Sequence, residues 1–407
     1  MTEDRSMTED RNVAEDHRAA EAAATGKQSD ELPAAAWAAA LATLPAMGPG
    51  RLRALLRHWS PAEAWRRVAR GRAVCEPGVA HACGPRPSDL GAAWSQAASA
   101  VDVSEYWMAH RQAGVDVLVR GTEGYPAALA DDHEAPPVLF ARGDQSALAA
   151  RRVAVIGTRT CTRYGTDVAG ELGRELAAAG VAVVSGLALG IDGAAHAGSL
   201  GAEGAPPVGV VGSGLDVVYP RAHARLWARV AAQGLLLSEA PLGVRPEPWR
   251  FPVRNRVIAG LAEIVVVVES HARGGSLHTV DAALARDTPV MAVPGSVRSP
   301  ASAFPNALLA DGCAPVRDAL DVLVALGLST AQPVAGVDRR TAPEGDAVAA
   351  LDAVGWAPAS LDEVVTRSGL APGPASLALA RLEGDGWVVG RAGWWERVAA
   401  GCDRPAP

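Results

Sequence analysis

From Val153 onward, short apolar runs alternate with longer stretches whose apolar positions recur every three to four residues. The runs are Val153–Gly157, Val181–Ser185, Val208–Val211, Leu235–Ser238, Ile264–Glu269 and Val290–Val293. Their β-branched content and lack of a polar face mark strands buried on both sides. Between them lie Tyr164–Ala179, Asp192–Leu200, Arg221–Ala232, Asn255–Leu261 and Ser276–Arg286, with helical periodicity. Strand–helix repetition with glycine-rich strand ends predicts an α/β domain, an extended Rossmann-like parallel sheet with right-handed crossovers. Ligands in such a sheet bind beyond the carboxyl ends of the strands.

The pattern changes on both flanks. Residues 1–32 are polar and repeat MTEDR at 1–5 and 7–11, which reads as a disordered acidic leader with Met7 an alternative start. Residues 33–122 read as a helical domain. In it, Trp37–Leu56 forms two helical patterns around Gly48-Pro49-Gly50, a helix-hairpin-helix followed by Arg51 and Arg53. The amides of such a turn can hold a phosphate, or the hairpin can simply pack, and the residues leave both readings open. Gly124–Pro126 through Ala135–Gly143 reads as the entry to the Rossmann-like domain, placed at 123–328. Residues 329–345 have a linker's composition. Then come three helical stretches, Ala347–Val354, Leu361–Ser368 and Ala375–Glu383, and a hairpin pattern over 386–397. Helix, helix, helix, hairpin is a small winged helix, placed at 346–398 before a tail at 399–407. Its third helix carries Arg381 as its one base. A groove-reading helix is richer in Arg, Asn or Gln, so a packing or protein-contact role is favoured.

Charge narrows the partners. The formal net charge is −7, and the leader holds nine acids against four bases, leaving −2 for the rest. A nearly neutral body excludes indiscriminate polyanion binding and requires any basic site to be local. Lys27 is the only lysine, so the body's strong bases are all arginines, which suit bidentate phosphate contacts. The five cysteines, Cys75, Cys83, Cys161, Cys313 and Cys402, are widely spaced and include no CxxC pair. This favours a reducing cytoplasm and gives no metal site, with Cys75…His81-Ala-Cys83 the nearest approach to one. No apolar run reaches the ~20 residues that span a bilayer.

The candidate chemistry sits at the strand ends. Gly157-Thr158-Arg159 follows the first strand. It fails the dinucleotide GxGxxG pattern but offers a small-residue turn and a guanidinium for an anion. Gly186 and Gly190 follow the second strand and permit close backbone approach; Asp192 is placed to cap the next helix, with His196 as its buried partner. The fourth unit leads into Arg245, Trp249, Arg250, Phe251, Arg254, Asn255 and Arg256. Arginines interleaved with aromatics are what a single-stranded nucleic acid needs: cations for phosphates and rings for bases. Asn255 reads as a helix cap. Gly274-Gly275-Ser276 at a helix start resembles an anion nest, and His278 reads as a bystander.

Taken together, Val155–Arg159 with Tyr164-Gly165, Ser185–Asp192 with His196, Gly214–Asp216 with Tyr219-Pro220, Ser238-Glu239, Phe251–Gly260, Gly275–Thr279 and Ala292–Gly295 resemble the DNA-processing protein A family, also called DprA or Smf. The resemblance covers about residues 33 to 398. It implies a single-stranded DNA-binding protein that protects incoming strands in natural transformation, helps load the RecA recombinase, and dimerises through its Rossmann-like domain. It places Arg159, Phe251, Arg254 and Arg256 in the DNA pocket. It implies no catalysis and no cofactor. The chain departs from the family pattern at His278, where an Ile is usual, at Phe304-Pro305, and at Asp287-Thr288 in place of Gly-Arg. Two other readings compete. A nucleoside-monophosphate phosphoribohydrolase of Rossmann type would need Pro-Gly-Gly-x-Gly-Thr and paired acids, whereas Arg273-Gly-Gly-Ser-Leu-His-Thr279 lacks both the Pro and the last Gly. A non-DNA interaction scaffold would work through the winged helix.

Overall fold

The computed structural model describes residues 32–328 and 340–398. The leader to residue 31, the linker core at 329–339 and the tail from 399, with Lys27 and Cys402, lie outside the described residues. The chain divides into two units, Met1–Ala109 and His110–Pro407.

The first unit is helical. Pro49–His58 starts with Pro at its first position after Gly48, where a missing N–H is no loss. Ser60 caps Pro61–Ala69 by accepting from the Glu63 N–H. Trp94 is fully buried, and its indole N–H donates to Pro45 O at 2.9 Å. Arg51 donates to Ala46 O at 2.6 Å, across the turn that the sequence marks as a hairpin.

In the second unit the strands are β1 (Asp116–Val119), β2 (Val138–Gly143), β3 (Arg151–Ile156), β4 (Val181–Ser185), β5 (Val208–Val211), β6 (Leu235–Ser238), β7 (Ile264–Val267), β8 (Val290–Ala292) and β9 (Ala314–Pro315). Among the described residues their order is β1-β2-β6-β5-β4-β3-β7-β8-β9. From β6 to β9 every neighbour is parallel. Alternation sends Ala154, Ile156, Val265 and Val267 into one apolar cluster and Val153, Val155, Ile264 and Val266 into another, so helices cover both faces. The chain runs outward from β3 through β4 and β5 to β6, then returns so that β7 lies on the other side of β3. That reversal opens a crevice at the carboxyl end of β3, where ligands bind in open α/β sheets.

Three expectations change. The sheet is not wholly parallel: β1 pairs antiparallel with β2, and β2 with β6. Those two runs are short and flanked by Gly and Pro, so periodicity alone does not separate them from loop. Since β1 hydrogen-bonds into the sheet, Asp116–Val119 belongs with the α/β domain and not with the helical domain expected to reach residue 122. The helix expected at Asn255 begins at Arg250, because a proline in the first turn, Pro252, removes no intrahelical bond. Asn255 therefore lies inside the helix and is not its cap.

The winged helix comprises helices Asp346–Val354, Leu361–Ser368 and Pro372–Gly384 and the strands β10 (Ala359–Ser360), β11 (Val388–Arg391) and β12 (Trp394–Arg397), ordered β10-β12-β11. Ser360 and Glu363 cap each other reciprocally. Leu351, Val354, Val364, Leu379, Leu382 and Val388 form its own core.

Candidate nucleic-acid interface

The crevice holds a cavity of about 540 Å³ and, beside it, a smaller chamber of about 50 Å³. Gly157, Thr158 and Arg159 leave β3 and line the larger one; Arg159 also lines the smaller. A side chain at Gly157 would meet Glu269 O and Ile191 Cγ1, each at 2.5 Å, so the turn requires glycine. The Thr158 N–H donates to Glu269 O at 2.7 Å, and its hydroxyl lies 3.3 Å from both Thr160 Oγ1 and His271 Nδ1. The exposed Arg159 lays its guanidinium over the Phe251 ring, 5.2 Å from the centroid, and Tyr219 packs against that ring at 5.4 Å. A cation over an aromatic pair at a cavity mouth offers charge and a stacking surface together.

Arg254 forms the floor and is 6% exposed. It donates to the carbonyls of Gly186 and Val210, at the ends of β4 and β5, while its Nε has no hydrogen-bond partner among the described residues. Burial pulls its pKa down to about 10; Asp192 opposes that pull and Arg159 adds to it. The group stays cationic at neutral pH, a desolvated charge that an incoming anion would relieve. Gly186 makes room for it: a Cβ there would stand 2.6 Å from both terminal nitrogens of Arg254 and 2.7 Å from Asp192 Oδ2. Asp192 is not the helix cap, a position held by Gly190. Its carboxylate accepts the Gly186 N–H at 3.0 Å. His196 is fully buried between Asp192 O at 3.0 Å and Val208 O at 3.2 Å, and burial lowers its pKa. It is a packing residue, as the sequence suggested.

On the far side of the cavity stand Gly274, Gly275 and Ser276 and the first turn of Leu277–Leu284. The Ser276 hydroxyl is committed to Ser270 at 2.6 Å. The Asn255 side chain donates to Gly275 O at 3.3 Å and so ties this turn to Arg250–Leu261.

The structure does not bring all the anticipated residues together. Arg256 is absent from both cavity linings. It pairs with Glu239 and donates to Glu134 O, with side-chain exposures of 12% for Arg256 and 16% for Glu239. Arg250 also lies outside, stacked over Trp249 at 4.4 Å and bonded to Glu247 at 3.2 Å. For Arg256 the reason is helical phase: Phe251, Arg254 and Asn255 share one side of Arg250–Leu261, and Arg256 is two residues beyond Arg254. Arg254 lines both cavities, with its hydrogen bonds turned inward to the sheet ends. Conversely, Tyr219 and the supposed bystander His278 line the cavity. The Tyr219-Pro220 segment marked the former; only the placement of Leu277–Leu284 reveals the latter.

A switch-point crevice with a buried cation below and an exposed cation over aromatics above gives this Rossmann-like protein a candidate anion site. The family profile described as DNA recombination-mediator protein A matches residues 116–327, and a DprA winged helix domain profile matches residues 338–393. The chain belongs to the DNA-processing protein A family. It is 35% identical over 310 residues to Protein Smf of Escherichia coli, covering 74% of this chain and 82% of that one. It is 39% identical over 215 residues to the DNA processing protein DprA of Bacillus subtilis, covering 53% and 72%. The X-ray structure of DprA from Streptococcus pneumoniae superposes with a TM-score of 0.58 at 28% identity, covering 72% of this chain and 98% of that one. No helix among the described residues is long and apolar enough to cross a membrane, and none of their His, Cys, Asp and Glu side chains cluster in threes that could hold a metal.

Proposed function

We propose that this protein binds single-stranded DNA in the crevice, protects incoming strands and helps load the RecA recombinase onto them. The observation that carries the reading is Arg159: an exposed guanidinium with no hydrogen-bond or ion-pair partner among the described residues, stacked over Phe251 at the cavity mouth. Family membership supports the DNA-processing role, and the resemblance supplies the single-strand, recombinase and homodimer parts of the proposal. The cavity serves binding and not turnover. Its carboxylate, Asp192, is tied to the Gly186 amide. Single strands expose unstacked bases and flexible phosphates, which a crevice can admit and a duplex cannot supply.

Anisotropy titration of labelled single- and double-stranded oligonucleotides tests this. Tighter binding of the single strand, weakening as salt rises because phosphate counterions are released, is the expected result. Equal affinity for both forms would refute it. Incubation with nucleoside monophosphates, with no free base released, separates the binder from a phosphoribohydrolase. Light scattering of the purified chain at twice the protomer mass is the expected sign of the homodimer.

A further inference from the structure

We propose that His278 is a specificity-determining residue that hydrogen-bonds a base edge of the bound strand; the inference rests on the single-strand reading above. His278 is exposed, lines the main cavity, and makes no hydrogen bond, ion pair or ring contact among the described residues. Its polar neighbours in the lining are mostly occupied. Asn255 donates to Gly275 O, Ser276 to Ser270, Arg254 to two carbonyls, and Asp192 accepts from Gly186. His278 is thus an uncommitted imidazole facing the space a ligand would fill.

Topology separates it from the aromatic end. Tyr219 lies on the loop after β5, Arg159 after β3 and His278 beyond β7, and the strand order is β5-β4-β3-β7. Arg159 belongs to the aromatic end, since its guanidinium stacks on Phe251, whereas His278 stands with the Gly274–Ser276 turn on the other side of the cavity. The arrangement fits successive nucleotides, one stacked at Phe251 and Tyr219 with its phosphate near Arg159, another meeting His278. A neutral imidazole presents one donor and one acceptor. Base edges present both, whereas a phosphate presents acceptors alone. An aliphatic side chain at this position could only pack.

The test is anisotropy titration of the full-length chain with equal-length dA, dC and dT homopolymers, using wild type, His278→Ile and His278→Asn. Wild type is expected to separate the tightest from the weakest homopolymer by about three- to tenfold, the range of one net hydrogen bond. His278→Ile should bring them within about twofold of one another with the salt slope unchanged, and His278→Asn, which keeps a donor and an acceptor, should restore part of the ranking. Retention of the wild-type ranking in His278→Ile overturns the proposal. So does an equal loss for all three with the salt slope reduced by about 0.7, which would mark a phosphate contact. A wild type that binds all three equally overturns this inference alone; one that binds none overturns the single-strand reading with it.

Discussion

Replacing Arg254 with Met removes a buried charge and two hydrogen bonds at once, and the two effects oppose each other. The carbonyls of Gly186 and Val210 lose their donor. Each orphaned buried acceptor costs about 1–3 kcal/mol, so about 2–6 kcal/mol together. Against this, the depression of the guanidinium pKa to about 10 corresponds to about 3 kcal/mol of charge burial that Met does not suffer. The net effect therefore lies between a gain of about 1 kcal/mol and a loss of about 3 kcal/mol. For a domain of this size even the full loss lowers Tm by less than about 10 °C. Binding has no such compensation. Losing a desolvated cation beneath the anion site removes about 1.5–3 kcal/mol, or roughly 10- to 100-fold in affinity. Thermal melts and anisotropy titrations of Arg254→Met measure both. A folded variant with wild-type affinity would show that the buried charge serves the sheet ends alone and plays no part in binding.

Three further outcomes follow from the same geometry. Arg159→Ala removes an exposed contact, so Tm should hold while the salt slope for single strands falls by about 0.7, read from titrations at several salt concentrations. Arg256→Ala breaks a largely buried pair with Glu239 and should cost about 3 kcal/mol of stability, with a smaller effect on affinity than Arg159→Ala; the reverse order would return Arg256 to the DNA surface. Arg286 bonds Asp132 at 2.9 Å and Glu134 at 2.9 Å. Burial pushes the Asp132 carboxyl up, but the hydrogen bond and charge of Arg286 override it, and both carboxyls are held below their ordinary values. Lowered carboxylate pKa values contribute stability above the unfolded-state pKa and lose it as pH falls through the folded value. Arg286→Met should accordingly lower Tm at pH 7 and flatten its decline between pH 5 and 2; an unchanged Tm–pH profile would refute the network's role.

Much of this protein is legible along the chain. The runs Val153–Gly157, Val181–Ser185 and Val208–Val211 announce themselves because a strand buried on both faces has no polar positions. Leu361–Ser368 is announced by its helical pattern, to which the structure adds the Ser360–Glu363 capping box. Gly157 and Gly186 are legible as glycines at strand ends, though not for the atoms that would strike a side chain there. The antiparallel strands β1 and β2 escape notice because their identity lies in pairing, at a sequence distance that periodicity does not register.

The site divides in the same way. Composition and order mark Arg159, Phe251, Arg254 and Arg256 as one cationic, aromatic group, because covalent neighbours share a segment. Only the tertiary structure gives each its direction. Helical phase and the pull of Glu239 carry Arg256 out of the crevice, the carbonyls at the ends of β4 and β5 draw Arg254 beneath it, and the Phe251 ring holds Arg159 at its mouth. The sequence by itself determined the six strands from Val153 to Val293, the crevice end of the sheet and the stock of cations. Which cation faces a ligand was decided by packing, since burial, hydrogen bonding and charge pairing depend on residues far apart in the chain and adjacent in space.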